Sequence, residues 1–508
     1  SLDNYTRYDA VPLQLLWGAV RQVPSNAERA GLVTRIAGSG VLNWRSAEVE
    51  KSSKFWERQP MRRQTWFFLA LVALSVAWCS DVQSAARNVL LYVVDDQGST
   101  DAGCYGNDVI KTPGLDELAK NGTRFTHGFC TTASCSASRS VILTGLYNHA
   151  NGQYGHQHSY HHFVTFDNVK SLPVLLAKEG YRTASAGKYH VAPESVYHFE
   201  TYIKGGSPLQ MADNCNELIA AESDKPFFLY FCTTEPHRPF RREGSDEVKP
   251  SDVIVPPYLP DTAACRGELA KYYMSVQRAD SGLVRLLEIL KETGHWEDTL
   301  VIYISDNGIA FPGAKTNLYD PGMQLPCVVR NPYVKKQGVV TDAMVTWADI
   351  TPTILDFAGT KTDVKFHGRS FLSVLEEEHP ESWDEVYASH TFHEITMYYP
   401  MKVVRTRKYK LIWNIAHGLD YPFASDLYAS DTWQDIVKSD ATYYAKRRVE
   451  DYIHRAKFEL YDLEDDPHEI ENLASDKEHA EVLAELQGKL KAFQKRTGDP
   501  WIVKWKYE

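Results

Sequence analysis

The sequence predicts an α/β protein: a large, mostly parallel sheet flanked by helices, plus a smaller C-terminal α+β domain with an antiparallel sheet. Three observations carry the prediction. Continuous apolar runs alternate with segments of helical period, as parallel strands joined by crossover helices require. Several of those runs end in polar or charged clusters. After about residue 375, short strand-like runs follow one another closely.

Taken in order, Arg87-Asn88 opens a continuous apolar run over 89–94 that reads as a strand buried on both faces, ended by Asp95-Asp96-Gln97-Gly98. Residues 113–121 predict a helix stopped by Gly122. Cys135-Ser136-Ala137-Ser138-Arg139 is followed by Leu143-Thr144-Gly145, with a helix expected over 138–143 and the thiol just before it. A helix N-terminus favours negative charge. Residues 172–179 predict a helix ended by Gly180, and 181–186 a short strand running into Gly187-Lys188-Tyr189-His190. A strong strand over 226–234 leads to Glu235-Pro236-His237. A long amphipathic helix is expected over 268–293, a strand over 299–305 leading to Asp306-Asn307-Gly308, and a helix over 349–358. In the C-terminal part, strands are expected at 386–389, 401–405, 409–413 and 459–462, the second and third as a hairpin, with a helix over 476–495. The expected divisions are a catalytic domain over 87–375 and an α+β subdomain over 376–508.

The chain has 508 residues, 43% of them hydrophobic, enough for a large core. Its formal charge of −11 argues against broad nucleic-acid binding and makes any anion site a local one. Met61-Arg62-Arg63, an apolar run over 66–78 and Ser84-Ala85-Ala86 have the plan of an export signal, too short for a comfortable membrane span. The expectation is therefore that Met61 is the true start, that 1–60 is an upstream extension of the reading frame, and that the protein is periplasmic or secreted (lysosomal in type if eukaryotic). Cys104, Cys130, Cys215, Cys232, Cys265 and Cys327 are candidates for pairing in an exported protein, and their spacing does not reveal partners.

Open α/β sheets place ligand sites at the C-terminal ends of their strands. Asp95, Asp96, Asp306 and Asn307 all fall there, and oxygen donors without nitrogen suit a hard cation. Each pair alone reads as a turn; their shared position beside the cysteine run favours a metal site. Lys188, His190, His237 and Lys315, with Arg139, form an expected cationic wall around an anion, with titratable groups for proton transfer.

The cysteine run with its Leu-Thr-Gly extension resembles the signature of the sulfatase family. The resemblance extends over about 87–473. It includes Asn151-Gly152, Tyr154-Gly155, His161-His162-Phe163, Arg182-Thr183, His190-Val191, Pro193-Glu194 and Val196-Tyr197. It continues at Ser305-Asp306-Asn307-Gly308-Ile309, Thr316-Asn317-Leu318-Tyr319, His393-Glu394, Thr396-Met397 and the C-terminal Glu459-Leu460-Tyr461-Asp462 and Asp466-Pro467-His468-Glu469. Within the family these segments are nearest the sulfamidase branch.

The resemblance implies an alkaline-phosphatase-like sulfatase fold. It implies one Ca²⁺ bound by Asp95, Asp96, Asp306, Asn307 and residue 135. Cys135 would be oxidised to formylglycine by a formylglycine-generating maturation enzyme, its hydrate acting as nucleophile. Arg139 and Lys188 would polarise that hydrate, His190 would act on its hydroxyl, and His237 and Lys315 would contact the sulfo group. His393 and Glu394 would bind sugar hydroxyls, a role that competes with a plain surface hairpin pair.

Three positions depart from the family pattern: Ala137 where many relatives have proline, Tyr189 in place of a second basic residue, and Lys315 in place of arginine, which keeps charge but loses bidentate geometry. The implied activity removes N-linked sulfate from terminal N-sulfoglucosamine of heparan-type glycans. The alternatives are an O-sulfatase on another sulfated carbohydrate, a phosphodiester or phosphonate hydrolase, and a glycan-binding pseudoenzyme. A homodimer is left open.

Overall fold

The structure, a computed structural model, describes residues 87–507. The expected export signal and the segment 1–60 lie outside the described residues.

Eight strands form one sheet: β1 (Asn88–Val94), β2 (Thr123–Phe129), β3 (Arg182–Gly187), β4 (Thr201–Ile203), β5 (Phe227–Cys232), β6 (Thr299–Ser305), β7 (Gln324–Arg330) and β8 (Val339–Thr346), in the order β4-β3-β5-β1-β6-β7-β2-β8. All neighbours are parallel except at β7, which runs antiparallel to both β6 and β2. Central β1 is buried along its whole length. Val89, Leu91 and Val93 pack into the cluster on one face, while Leu90, Tyr92 and Val94 pack into the cluster on the other. Alternation between two buried faces is why the run contains no exposed position.

The numbered helices are α1 (Pro113–Lys120), α2 (Cys135–Thr144), α3 (Leu172–Lys178), α4 (Ala263–Glu292), α5 (Ile350–Ala358) and α6 (Ala480–Thr497). Helix α4 is tied to the central strand by the Tyr92 hydroxyl, which donates to the Ala279 carbonyl at 2.6 Å. Its buried Asp280 accepts the Gly114 and Leu115 N–H groups at 2.8 and 2.9 Å, satisfying free donors at the start of α1. No helix of the described residues is long and apolar enough to cross a membrane.

Strands β2, β7 and β8 add to the elements expected from sequence. β2 carries Arg124, His127 and Gly128, and its ladder with β7 breaks between Phe125 and Gly128. β7 carries Pro326, which a central strand would exclude. Pro326 lies beyond Cys327, the last residue paired with β6, and at the break in the β2 ladder, where no N–H is needed. A second correction concerns the cysteine run: α2 begins at Cys135 itself, after Ser134, so the thiol lies inside the first helical turn and not before it. Among the described residues all seven cysteines are free.

The C-terminal region forms the antiparallel sheet β14-β11-β10-β9, with β9 (Glu385–Phe392), β10 (Tyr398–Thr406), β11 (Tyr409–Asn414) and β14 (Phe458–Asp462); a two-stranded ribbon, β12 (Tyr443–Tyr444) and β13 (Arg447–Arg448), precedes β14. Strands β10 and β11 are the expected hairpin. Leu486, Leu490 and Phe493 of α6 pack with Val404, Leu411, Trp413 and Leu460 of this sheet. Buried ion pairs join the two sheets. Lys410 of β11 holds Asp320 at 2.9 Å and Glu469 at 2.7 Å, and Arg405 of β10 reaches Asp320 at 3.1 Å. Asp320 follows the loop that leaves β6, so the C-terminal sheet fixes a segment that borders the site.

Candidate active site

The C-terminal ends of β1, β3, β5 and β6 converge with the N-terminus of α2, as expected for an open α/β sheet. Asp95 and Asp96 follow β1. Asp96 has a φ of 72°, in the left-handed region, so the chain turns sharply there and both carboxylates face one point instead of opposite faces. The turn after β3 depends on Gly187: its φ is 81°, and a Cβ there would lie 2.0 Å from the Cys232 carbonyl oxygen. Gly308 is fixed similarly, with Pro321 O at 2.0 Å from an added Cβ.

The floor is a buried array of opposite charges. Ligand atoms of Asp95, Asp96, Cys135 and Asp306 all lie within 4.8 Å of one another. Arg139, fully buried on α2, donates through Nε to Asp306 Oδ2 at 2.9 Å and through Nη1 to the Lys188 carbonyl at 3.2 Å. Its Nη2 lies 3.8 Å from Asp95 Oδ1. Lys188 donates to Asp95 Oδ2 at 2.5 Å. Lys315 Nζ reaches Asp96 Oδ2, Asp426 Oδ2 and His237 Nε2 at 2.9, 2.9 and 3.0 Å. Four carboxylates thus face three fixed cations.

Burial alone would raise Asp95, but Lys188, His237 and Arg139 hold it well below the usual carboxylate range. Asp306 is pushed up to about 7 by burial, with Arg139 opposing and Asp95 adding to the rise. Burial opposes the charges of Lys188 and Lys315. For Lys188, Asp95 outweighs it, and for Lys315, Asp426 and Asp96 do, so both amines titrate above their ordinary value. Burial drives the Cys135 thiol well above its ordinary value, so as cysteine it is protonated and a poor nucleophile.

The donor set fits a hard cation. Asp95 Oδ1 and Asn307 Oδ1 are buried and accept no hydrogen bond. Such orphaned oxygens are costly unless something positive satisfies them. The cluster supplies oxygen without a nitrogen ligand, which matches Ca²⁺ or Mg²⁺ better than Zn²⁺. A divalent ion there also reverses the sign of the four-carboxylate, three-cation array, making the site receptive to an anion.

Above the floor lies a cavity of about 620 Å³ lined by Lys188, His190, His237, Lys315, His393 and Glu394, all singled out in the sequence. The structure therefore brings together every expected site residue. Two refinements follow from the hydrogen bonds. His237 Nδ1 faces the Arg238 carbonyl, an acceptor only, so Nδ1 carries the hydrogen and Nε2 accepts from the Lys315 ammonium. His393 lines the cavity, but Ser134 Oγ and His156 Nε2 occupy its two ring nitrogens at 3.0 Å each. Glu394 Oε1 accepts from Ser425 N and Oγ at 2.9 and 2.6 Å.

Sequence reasoning missed Asp426, Ser425, His156 and His158, which line the same cavity. Asp426 lies in an unremarkable segment with no local signal. The histidines had one: five of the chain's 18 histidines fall between His149 and His162.

Comparison with known proteins agrees with this geometry. Residues 87–360 match the sulfatase family profile, and 314–427 match the C-terminal region of N-sulphoglucosamine sulphohydrolase. The chain is 39% identical to human N-sulphoglucosamine sulphohydrolase, covering 82% of this chain and 91% of the relative. It is 30% identical to an ulvan-active sulfatase of Formosa agariphila, covering 83% and 82%. Among solved structures, one in complex with its substrate D-glucosamine-2-N,6-O-disulfate shares the fold, with a TM-score of 0.62 at 20% identity over 82% of this chain and 99% of that one. A phosphonate monoester hydrolase of Agrobacterium radiobacter does so with a TM-score of 0.63 at 20% identity over 81% and 96%. A profile spanning more than half of the chain and a relative matched over nearly its full length lead to one conclusion: this protein belongs to the sulfatase family.

Proposed function

We propose that the protein is a sulfohydrolase that cleaves the N–S bond of terminal N-sulfoglucosamine in heparan-type glycans. The observation that carries the reading is the 39% identity to human N-sulphoglucosamine sulphohydrolase over 91% of that protein. In this reading Asp95, Asp96, Asp306 and Asn307 hold one Ca²⁺, and a maturation enzyme converts Cys135 to formylglycine. Together these groups supply an oxygen nucleophile and the positive charge that stabilises it.

The remaining work falls to side chains. Arg139 is locked between Asp306 and the Lys188 carbonyl, so it presents fixed charge without reorganising. Lys188 and Lys315 place two more cations beside the sulfo oxygens. Burial, Lys188 and His156 hold His190 well below its ordinary value, so it stands in the site as a neutral imidazole. Breaking an N–S bond leaves an electron pair on nitrogen, and an amine leaves poorly as an anion. A proton must reach that nitrogen. His237 lines the cavity with its Nε2 3.0 Å from the Lys315 ammonium, and this pair holds the candidate donors. Sugar hydroxyls fall to Glu394; His393, with both ring nitrogens engaged by Ser134 and His156, lines the wall beside it.

A second reading is an O-sulfatase on another sulfated carbohydrate, favoured by the 30% identity to the ulvan-active sulfatase. The deciding experiment measures sulfate release from a disaccharide ending in N-sulfated glucosamine and from its 6-O-sulfated counterpart, using protein matured in a formylglycine-generating host. Release from the N-sulfate alone is expected. Release from the O-sulfate alone overturns the first reading in favour of the second.

A further inference from the structure

The cavity wall carries a cluster of imidazoles that the reaction does not use in full. His156, His158 and His190 each place a ring nitrogen within 4.8 Å of the other two. Their ring centroids are 4.8 to 5.0 Å apart, and His161 and His393 stand behind them at 5.7 and 3.9 Å from His156. His158 Nδ1 lies 2.8 Å from His190 Nε2. His156 Nδ1 and His190 Nδ1 are buried without a hydrogen-bond partner.

We propose that His156, His158 and His190 form a binding site for a borderline transition-metal dication, Zn²⁺ or Co²⁺ in class, and that its occupation withdraws His190 from catalysis. The second clause rests on the proposed function; the first does not.

The donor chemistry separates this site from the floor below it. Imidazole nitrogen selects zinc-like ions, whereas the oxygen cluster of Asp95, Asp96, Asp306 and Asn307 selects hard ones. A tetrahedral ion with Zn–N bonds of about 2.1 Å holds its nitrogens about 3.4 Å apart. The His158–His190 contact must therefore open by roughly half an ångström and the wider separations must close, movements within reach of side-chain rotation. The rings are held in the neutral, ligating form. Burial first, then Lys188 and neighbouring imidazoles, keeps His190 below its ordinary value; burial with His393 and Lys315 does so for His156, and burial with His161 for His158. The nearby ammonium groups do not present unpaired charge, because Lys188 is paired with Asp95 and Lys315 with Asp96 and Asp426. His158 is exposed, which gives an ion its entry path and leaves a coordination position open to the cavity.

The test titrates Co²⁺ into calcium-saturated protein, so that the oxygen site is filled, and reads visible absorption. An intense tetrahedral band that Zn²⁺ bleaches is expected. In His158→Gln and in His156→Gln/His158→Gln, apparent affinity is expected to fall about tenfold or more. A missing band, or unchanged affinity in the double variant, overturns the site. A thermal unfolding curve accompanies each variant. Should the double variant fail to fold, Zn²⁺ protection of His158 from diethyl pyrocarbonate in the unaltered protein, read by peptide mass, takes its place, and lack of protection overturns the site. In the activity arm, Zn²⁺ is expected to suppress sulfate release about tenfold or more, restored by a chelator that spares calcium. Binding without suppression overturns the withdrawal of His190 alone.

Discussion

The floor and the rim of the same cavity are built on different terms. The floor takes Asp95, Asp96, Asp306 and Asn307 from the ends of β1 and β6 and Arg139 from α2, and every one of these side chains is buried. The rim takes His156 and His158 from a loop, Glu394 from beyond β9, and Ser425 and Asp426 from a short helix of the C-terminal region. His158 is exposed, and its loop includes Ser159 and His162 at positive φ. The floor is a closed set of charges in which each group fixes its neighbour. The rim is a set of separate side chains meeting in space. On the proposed function, the chemistry rests on strand ends and the start of α2, and recognition on segments that can differ without disturbing the sheet.

The sharpest way to break this contrast is at Cys135. On the proposed function, Cys135→Ala removes the precursor of the nucleophile and is expected to lower kcat by ~10⁴ to 10⁶, the scale seen when an essential nucleophile is lost. Because the change deletes one buried sulfur, thermal stability should fall only modestly. Sulfate release and an unfolding curve on the same sample check both halves. Turnover near that of the unaltered protein sinks the assignment of residue 135.

The same contrast explains what the sequence revealed. Asp95-Asp96, Asp306-Asn307, Lys188 and His237 were legible because each follows an apolar run, and sheet topology alone brings such strand ends together. Asp426 was not legible. Its role comes from Lys315, 111 positions away, and its segment carries no periodicity. Strand β7 was hidden by Pro326, whose tolerance depends on a ladder break that only the paired structure reveals. The positive φ of Asp96, which turns adjacent carboxylates onto one point, is likewise a tertiary outcome: aspartate adopts the left-handed region more readily than most residues, but nothing in the local sequence requires it there.

A second test separates proton delivery from binding. His237→Gln keeps a polar side chain facing Lys315 but removes the donor, so kcat on the sulfamate should fall about 10²- to 10⁴-fold. An aryl sulfate with an acidic leaving group needs no proton, and its turnover should fall far less. Equal losses on both substrates assign the proton to another group, Lys315 first.

Stability should report the floor as well. Asp306→Asn leaves Arg139 without its closest carboxylate in a fully buried setting, and breaking such a pair costs about 3–5 kcal/mol. Calcium should raise the unfolding temperature of the unaltered protein and do so little in the variant, since one oxygen ligand has lost its charge. Denaturant unfolding with calcium and with chelator measures both. A variant as stable and as calcium-responsive as the parent removes Asp306 from the metal site.

The smallest expected effect lies on the rim, and its sign matters more than its size. Glu394→Gln retains the acceptor that Ser425 N and Oγ use, so the loop should keep its place. What is lost, on the proposed function, is a charge-assisted hydrogen bond to a sugar hydroxyl, worth about 1.5–3 kcal/mol when desolvated. KM should therefore rise about tenfold or more while kcat stays within about twofold, the pattern of an interaction made equally in ground and transition states. Floor variants should show the reverse, a loss in kcat. If Glu394→Gln lowers kcat instead, the rim helps hold Asp426 and through it Lys315, and the division between recognition and chemistry does not run between these two regions. If neither constant moves, the carboxylate serves only Ser425, and the hydroxyls of the sugar must find their partners elsewhere on the wall.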